Sequence, residues 1–104
     1  MDELFDELIK FQKERDWKKF HTPENLAKSI SIEAAELLEH FQWDKEYDIE
    51  EVADELADVL IYCMYMADAM GFDMKEIIKN KMKKNALRYP IEKSKGNAKK
   101  YTEF

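Results

Sequence analysis

Two pairs of acidic residues have a spacing that could support chemistry. Glu33 and Glu36 stand three residues apart, and Glu55 and Asp58 repeat that spacing, both pairs in otherwise apolar local sequence. Residues at i and i+3 are neighbours on one side of an α-helix. Four carboxylates that converge repel one another unless a cation neutralises them, and oxygen ligands favour Mg²⁺ or Mn²⁺. The pattern therefore indicates a divalent-cation site, with Mg²⁺ the expected cofactor and Mn²⁺ a substitute.

The same acids have a simpler interpretation. Carboxylates at this spacing are common on solvated helix faces, and the chain has 23 Asp and Glu residues. Either pair alone favours a solvated face, whereas the repeat on consecutive apolar segments gives the metal site equal weight. Other metal chemistries lack their motifs: neither His21 nor His40 follows a glutamate by three residues, as in bundle di-iron sites, and no His-Glu-x-x-His is present.

Four predicted helices must position these acids. Thr22 is a good N-cap before a proline at the first helical position, and Asp48 opens a capping box. Gly71 supplies a C-terminal stop, and Pro90 prevents the last helix from continuing. The apolar periodicity then predicts helices over residues 2–17, 23–43, 49–70 and 74–89. Residues 91–104 are Lys-rich and are predicted to form an irregular, polar, basic tail.

These elements predict an all-α fold, a four-helix bundle with antiparallel helices. A chain of 104 residues fits one domain, residues 1–104, and only 2 Gly and 2 Pro argue against a β-sandwich or barrel. If the second and third helices pack antiparallel through a short connection at 43–48, the acid pairs reach comparable depth. Residues 59–67 are apolar all round, and such a helix must be covered on every side. A second copy of the chain is therefore expected, as a homodimer or homotetramer.

Cysteine usage and hydropathy bear on location. The lone Cys63 cannot form an internal disulfide, which fits a reducing compartment. The acidic N-terminal residues lack the features of a signal peptide. The longest uncharged run is far shorter than the roughly 20 residues of a membrane span. We therefore expect a cytoplasmic protein with no membrane partner.

Charge is divided unevenly along the chain. Residues 1–74 carry a net charge of −13 and residues 75–104 a net charge of +7, which gives −6 overall. A basic segment on an acidic body fits nucleic-acid binding, binding of a small polyanion, or self-complementarity, and composition does not choose among them.

The motifs together carry a family resemblance. The chain resembles the MazG-like all-α nucleoside triphosphate pyrophosphatases, whose Glu-x-x-Glu and Glu-x-x-Asp motifs match the two acid pairs. Within that superfamily it is most similar to the dCTP pyrophosphatases, from about residue 5 to the C-terminus. The matching stretches are residues 14–17, 20–26, 41–43, 58–62, 81–82, 85, 88–90 and 100–103.

The resemblance implies hydrolysis of a deoxynucleoside triphosphate, dCTP or a modified dCTP, to the monophosphate and pyrophosphate, as nucleotide-pool cleaning. The four acids would hold Mg²⁺, and one glutamate, for instance Glu36, would orient or deprotonate the attacking water. Trp17 and Trp43 would correspond to an aromatic base pocket. The remaining implied substrate contacts are His21, Thr22, Pro23, Glu24, Asn25, Tyr62, Lys81, Lys84, Asn85 and Arg88.

Structural alternatives stand beside these assignments. Trp17 and Trp43 could be core or interface aromatics, and His21 could bond the backbone. The rival function is a non-catalytic helical module whose basic C-terminal segment binds nucleic acid or a protein. With the resemblance taken into account, a nucleoside triphosphate is the expected partner and nucleic acid is not.

Overall fold

The computed structural model describes residues 2–43 and 46–103, with the backbone alone of Tyr101. The described residues contain helices and no β-strand, which confirms the all-α fold class. The helices are α1 (Asp2–Glu14), α2 (Pro23–Glu39), α3 (Ile49–Met70), α4 (Met74–Arg88) and α5 (Ile91–Ser94), with 3₁₀ turns at Lys18–Phe20 and Tyr101–Glu103. None of the helices in these residues has the length and apolar character that a membrane crossing requires.

The predicted caps start three of the helices. Thr22 Oγ1 accepts a hydrogen bond from the Asn25 N–H at 3.2 Å, so α2 begins with Pro23. Asp48 caps α3 and Asp73 caps α4 in the same way. Gly71, in the left-handed conformation with φ of 71°, ends α3. The predicted bounds of α3 are therefore confirmed.

Two helices end earlier than the periodicity predicted. α1 ends at Glu14 instead of residue 17, because Asp16 adopts a φ of 54° that no right-handed helix accommodates. α2 ends at Glu39 instead of residue 43, where the next three N–H groups bond to carbonyls three residues back. Residues 44 and 45 of the predicted connection lie outside the described part of the chain.

The C-terminal tail is more ordered than predicted. Within residues 91–103 the chain forms α5 and the second 3₁₀ turn, so a wholly irregular tail was wrong. The Pro90 carbonyl accepts the N–H groups of Lys93 and Ser94, each at 3.0 Å. Proline ends α4 because it lacks a donor, yet its fixed φ suits the start of the next helix.

The chain divides into two compact units, Met1–Gly71 and Phe72–Phe104. In the first unit, α2 packs along α3 and α1 contacts α3. The second unit contains α4, α5 and the second 3₁₀ turn. A single domain over residues 1–104 remains a prediction.

The core of the first unit joins α1 to α3. The Tyr65 hydroxyl donates a hydrogen bond to the Leu8 carbonyl at 3.1 Å, which fastens the two helices together. Five residues earlier on α3, Leu60 is 52% exposed in the single chain, so the apolar helix is not covered on every side. Among the side chains that the structure describes, the buried apolar ones are Leu26, Met64, Tyr65 and Ala67.

Candidate functional site

Three of the four predicted acids meet where α2 packs on α3. Glu33, Glu55 and Asp58 each offer a carboxylate oxygen within 4.8 Å of the others, and we call this set the carboxylate cluster. Glu33 lies six residues before the end of α2, and Glu55 lies six residues after the start of α3. Consecutive helices packed across a short connection run antiparallel and carry these two residues to the same level.

The fourth acid, Glu36, lies beside this set. It is half-buried on α2, one turn after Glu33, and its carboxylate interacts with that of Glu33. Glu36 is not among the three residues whose oxygens converge. The structure therefore brings three of the four predicted ligands together, and Glu36 as a fourth metal ligand remains a prediction.

Crowding changes the acidity of Glu33. Burial raises its pKa from 4.5 to about 7, and the neighbouring carboxyl groups of Glu36, Glu55 and Asp58 act in the same direction. Burial and nearby negative charges both disfavour the ionised form of a carboxyl group. Without a cation, the cluster retains a proton near neutral pH.

The cluster fits a divalent cation. Glu33 Oε2 and Glu55 Oε2 are buried and have no hydrogen-bond partner among the described residues. Buried acceptors without a donor are costly, and ionised ones more so. A set made only of carboxylate oxygens suits a hard divalent metal ion better than a soft one.

A cavity of about 340 Å³ adjoins the cluster, and we call it the aromatic cavity. Asp58 belongs to both the cavity and the carboxylate cluster, and Tyr62 follows it by one helical turn on α3. The cavity therefore places aromatic walls beside charged oxygen ligands. It is lined by Leu8, Phe11, Trp17, His21, Asp58, Ile61, Tyr62 and Tyr65.

The rings of this cavity contact one another. His21 lies with its ring centroid 5.0 Å from that of Tyr65 and 6.3 Å from those of Tyr62 and Trp17. Trp17 also meets Phe11 edge-on at 5.8 Å and is 41% exposed. Such walls suit a planar, apolar-faced ring as a ligand.

The predicted substrate loop, residues 21–25, is held by its own hydrogen bonds. Besides the Thr22 cap, Asn25 Nδ2 donates to the Phe20 carbonyl at 3.0 Å. Pro23 occupies the first turn of α2, together with an exposed Glu24. Only His21 of this loop lines the aromatic cavity, and substrate contacts by the others remain predictions.

The other predicted contacts lie elsewhere. Trp43 is 85% exposed and is not among the residues that line the aromatic cavity. The α4 candidates belong to the second unit, and their role also remains a prediction. These α4 residues are Lys81, Lys84, Asn85 and Arg88.

Some site residues were missed in the sequence. Tyr65 follows Asp58 and Tyr62 at helical spacing, so its place in the cavity could have been read from the α3 pattern. Gln12 had no such signal: it is only 2% exposed, and its Nε2 donates to His21 Nδ1 at 2.7 Å. Burial lowers the pKa of His21.

Comparisons with known proteins give one family model and several similar proteins. The model of the MazG-like family matches residues 28–104. The chain is 38% identical over 104 residues to dCTP pyrophosphatase 1 of Mus musculus, which covers 90% of this chain and 61% of that protein. The human dCTP pyrophosphatase 1 is 35% identical with the same coverage. The chain therefore spans about three fifths of these curated relatives.

A solved structure is similar over most of both chains. The crystal structure of a pyrophosphatase from Archaeoglobus fulgidus DSM 4304 matches with a TM-score of 0.78 and 48% identity. The match covers 86% of this chain and 92% of that one. The likeness therefore extends beyond the region matched by the family model.

Proposed function

This chain belongs to the MazG-like family, and on that premise we propose that it hydrolyses a nucleoside triphosphate to the monophosphate and pyrophosphate. The observation that carries the proposal is the junction at Asp58, where the carboxylate cluster meets the aromatic cavity. The names of the relatives, dCTP pyrophosphatase 1 and a pyrophosphatase, support the same reaction. Its role would be nucleotide-pool cleaning in the cytoplasm.

The carboxylate cluster would hold Mg²⁺, or Mn²⁺ in its place, through Glu33, Glu55 and Asp58. When bound, such a cation neutralises phosphate oxygens and makes the phosphorus a better electrophile. Glu36 stands outside the three converging carboxylates and contacts Glu33. We assign to its carboxylate the task of orienting the attacking water and accepting its proton.

The aromatic cavity would receive the base. Trp17 supplies a ring that is partly exposed for stacking, and His21 and Tyr62 line the same space. Stacking holds any base, whereas selection requires hydrogen bonds to base edges. We propose dCTP or a modified dCTP as the substrate, with Trp43 and the α4 residues as further contacts from the family resemblance.

Self-association is the second part of the proposal. Leu38 on α2 is 67% exposed, and Ile32 and Leu60 are also exposed large apolar side chains. Contiguous exposed apolar surface commonly marks a protein interface, and these three side chains lie on two helices that pack together. We propose a second copy of the chain as the occupant, so light scattering should give twice or four times the mass of 12.5 kDa. A monomer at the concentration used in the activity assay would contradict the proposed self-association.

Product analysis tests the reaction. The purified chain is incubated with Mg²⁺ and a panel of canonical and modified deoxynucleoside triphosphates, and the products are separated by ion-exchange chromatography. The proposal expects monophosphate and pyrophosphate, lost with EDTA, and fastest turnover with a cytosine nucleotide. Diphosphate and phosphate would contradict the reaction class. No turnover by folded protein would favour the rival function, a non-catalytic helical module that binds nucleic acid or a protein.

Matched variants test the residues. Asp58→Asn should abolish turnover, whereas Asp54→Asn, an exposed aspartate one turn earlier on α3, should not. Glu36→Gln should also abolish turnover. Its control is Glu39→Gln, which changes an exposed glutamate one turn later on α2 and should leave turnover intact. Full activity in Asp58→Asn would contradict the proposed site.

A further inference from the structure

A buried amide holds His21 from outside the aromatic cavity. Gln12 on α1 is 2% exposed, and its Nε2 lies 2.7 Å from His21 Nδ1. His21 lines the cavity, whereas Gln12 is not among the lining residues. Gln12 is therefore placed to influence a bound ligand through the imidazole.

The orientation of the amide decides which ring nitrogen carries the proton. With Nε2 facing His21, the amide donates, Nδ1 accepts, and Gln12 Oε1 is the buried atom without a partner in the described part of the chain. Turned over, the amide would instead leave its two N–H donors buried at that place. Orphaned buried N–H groups are rarer than under-satisfied carbonyl oxygens, which favours the first orientation. A neutral ring that accepts at Nδ1 must carry its proton at Nε2.

The surroundings of His21 favour the neutral ring. Its neighbours are the rings of Trp17, Tyr62 and Tyr65, and burial lowers its pKa. The charged groups nearby are Asp58, on the wall of the same cavity, and Arg15, whose guanidinium carbon lies 3.4 Å from the Phe11 ring centroid and 5.9 Å from that of Trp17. Among the described residues, no carboxylate forms an ion pair with His21.

We propose that Gln12 is a positioning residue that commits His21 to the Nε2–H tautomer, so that the aromatic cavity offers its ligand one neutral hydrogen-bond donor. Such a donor complements an acceptor on a base edge, either a carbonyl oxygen or an unprotonated ring nitrogen, and gives nothing to an exocyclic amino group. The assignment of a nucleotide base as the acceptor of this hydrogen bond rests on the proposed function. The assignment of the His21 tautomer is independent of the proposed function.

Nitrogen-15 NMR of the histidine-labelled protein reads the tautomer directly. The chain has two histidines, His21 and His40, so a His40→Gln variant assigns the signals. At pH 8 we expect His21 to be protonated at Nε2 and unprotonated at Nδ1. The opposite tautomer in the unmodified protein would overturn the proposal without any variant of Gln12.

Variants at Gln12 then test the cause. In Gln12→Glu the ionised carboxylate can only accept, so Nδ1 should become protonated. Gln12→Leu removes the donor and should leave a mixture of tautomers. The matched control is Gln42→Glu, which changes an exposed glutamine. In the Gln12 variants, unchanged His40 signals report an intact fold. If both Gln12 variants show the same His21 signals as the control, Gln12 only fills space and the proposal fails.

Kinetics separate this proposal from the proposed function. For the preferred nucleotide, Gln12→Leu should raise KM about fivefold to tenfold, the effect of one neutral hydrogen bond, with a smaller change in kcat. An unchanged KM beside an altered tautomer would overturn the step to the base. An unmodified chain that hydrolyses no nucleotide would overturn the proposed function, while the NMR result would still decide the tautomer.

Discussion

The carboxylate cluster and the aromatic cavity share Asp58 but differ in how their polar atoms are satisfied. In the cluster, Glu33 and Glu55 each bury an oxygen that no donor among the described residues reaches. In the cavity, the imidazole of His21 has a donor at 2.7 Å and rings around it. The cluster depends on a proton or a cation, whereas the protein itself supplies the partner of the cavity's central polar group.

This difference separates two tasks. A cluster of like charges without donors is unfavourable until something positive arrives, which makes it a binding site for charge. A ring network whose imidazole already has its hydrogen bond is organised before the ligand arrives, which suits recognition of a flat ligand. Changes in the cluster should therefore act on metal binding and turnover, and changes in the cavity on nucleotide affinity.

The largest effect should come from the cluster. Glu33→Gln removes one charge from the three converging carboxylates and should lower kcat by about 10²- to 10³-fold, with weaker Mg²⁺ binding. Steady-state kinetics over a range of Mg²⁺ concentrations measure both. Glu39→Gln, exposed on the same helix, is the control. A change in KM alone would break the proposed division of tasks.

Changes in the aromatic cavity should act on KM and not on kcat. Trp17→Ala removes a stacking ring and should raise KM by about 10- to 100-fold, since stacking contributes roughly 1–3 kcal/mol per base. Trp17→Phe keeps a ring and should retain most of the affinity. A parallel Trp43→Ala variant tests the family-derived contact. If Trp17→Ala reduces kcat but leaves KM unchanged, the cavity is not the base site.

A pH titration without metal should sharpen the contrast. Because the pKa of Glu33 is raised to about 7, the folded chain keeps a proton that the unfolded chain releases near pH 4.5. The folded state therefore binds more protons between pH 4.5 and 7, and stability should fall as pH rises through that window. Mg²⁺ competes with this proton, so its affinity should rise up to about pH 7.

Urea unfolding in EDTA and calorimetric Mg²⁺ titrations at several pH values measure these trends. Glu33→Gln should flatten both of them, because the titrating proton is gone. A pH dependence that survives this substitution would assign the linkage to another group.

The smallest expected effect concerns the fastening of α1 to α3. Tyr65→Phe keeps the ring and removes the hydroxyl that donates to the Leu8 carbonyl at 3.1 Å. A lost buried hydrogen bond should reduce the free energy of unfolding by about 1–3 kcal/mol. Urea unfolding measures this, with Tyr47→Phe at an exposed tyrosine as control. Equal stability of both variants would show that the hydroxyl contributes nothing.

The helix starts were the most predictable part of the fold. Thr22, Asp48 and Asp73 cap helices through bonds to residues two or three positions ahead, so the signal lies within one turn of chain. Helix ends were less predictable. The apolar pattern continued past Glu14, but the backbone turned at Asp16, where the φ is positive.

The sequence by itself determined the all-α class, the bounds of α3 and the spacing of the acid pairs, because helical periodicity and caps act between neighbours in the chain. Only the tertiary structure decided that Glu36 stands outside the carboxylate cluster and that Gln12 reaches His21. The first depends on how α2 packs on α3, and the second on how the chain between α1 and α2 folds back on α1. A lone glutamine that contacts a residue nine positions away carries no local signature, so packing alone gives it a role.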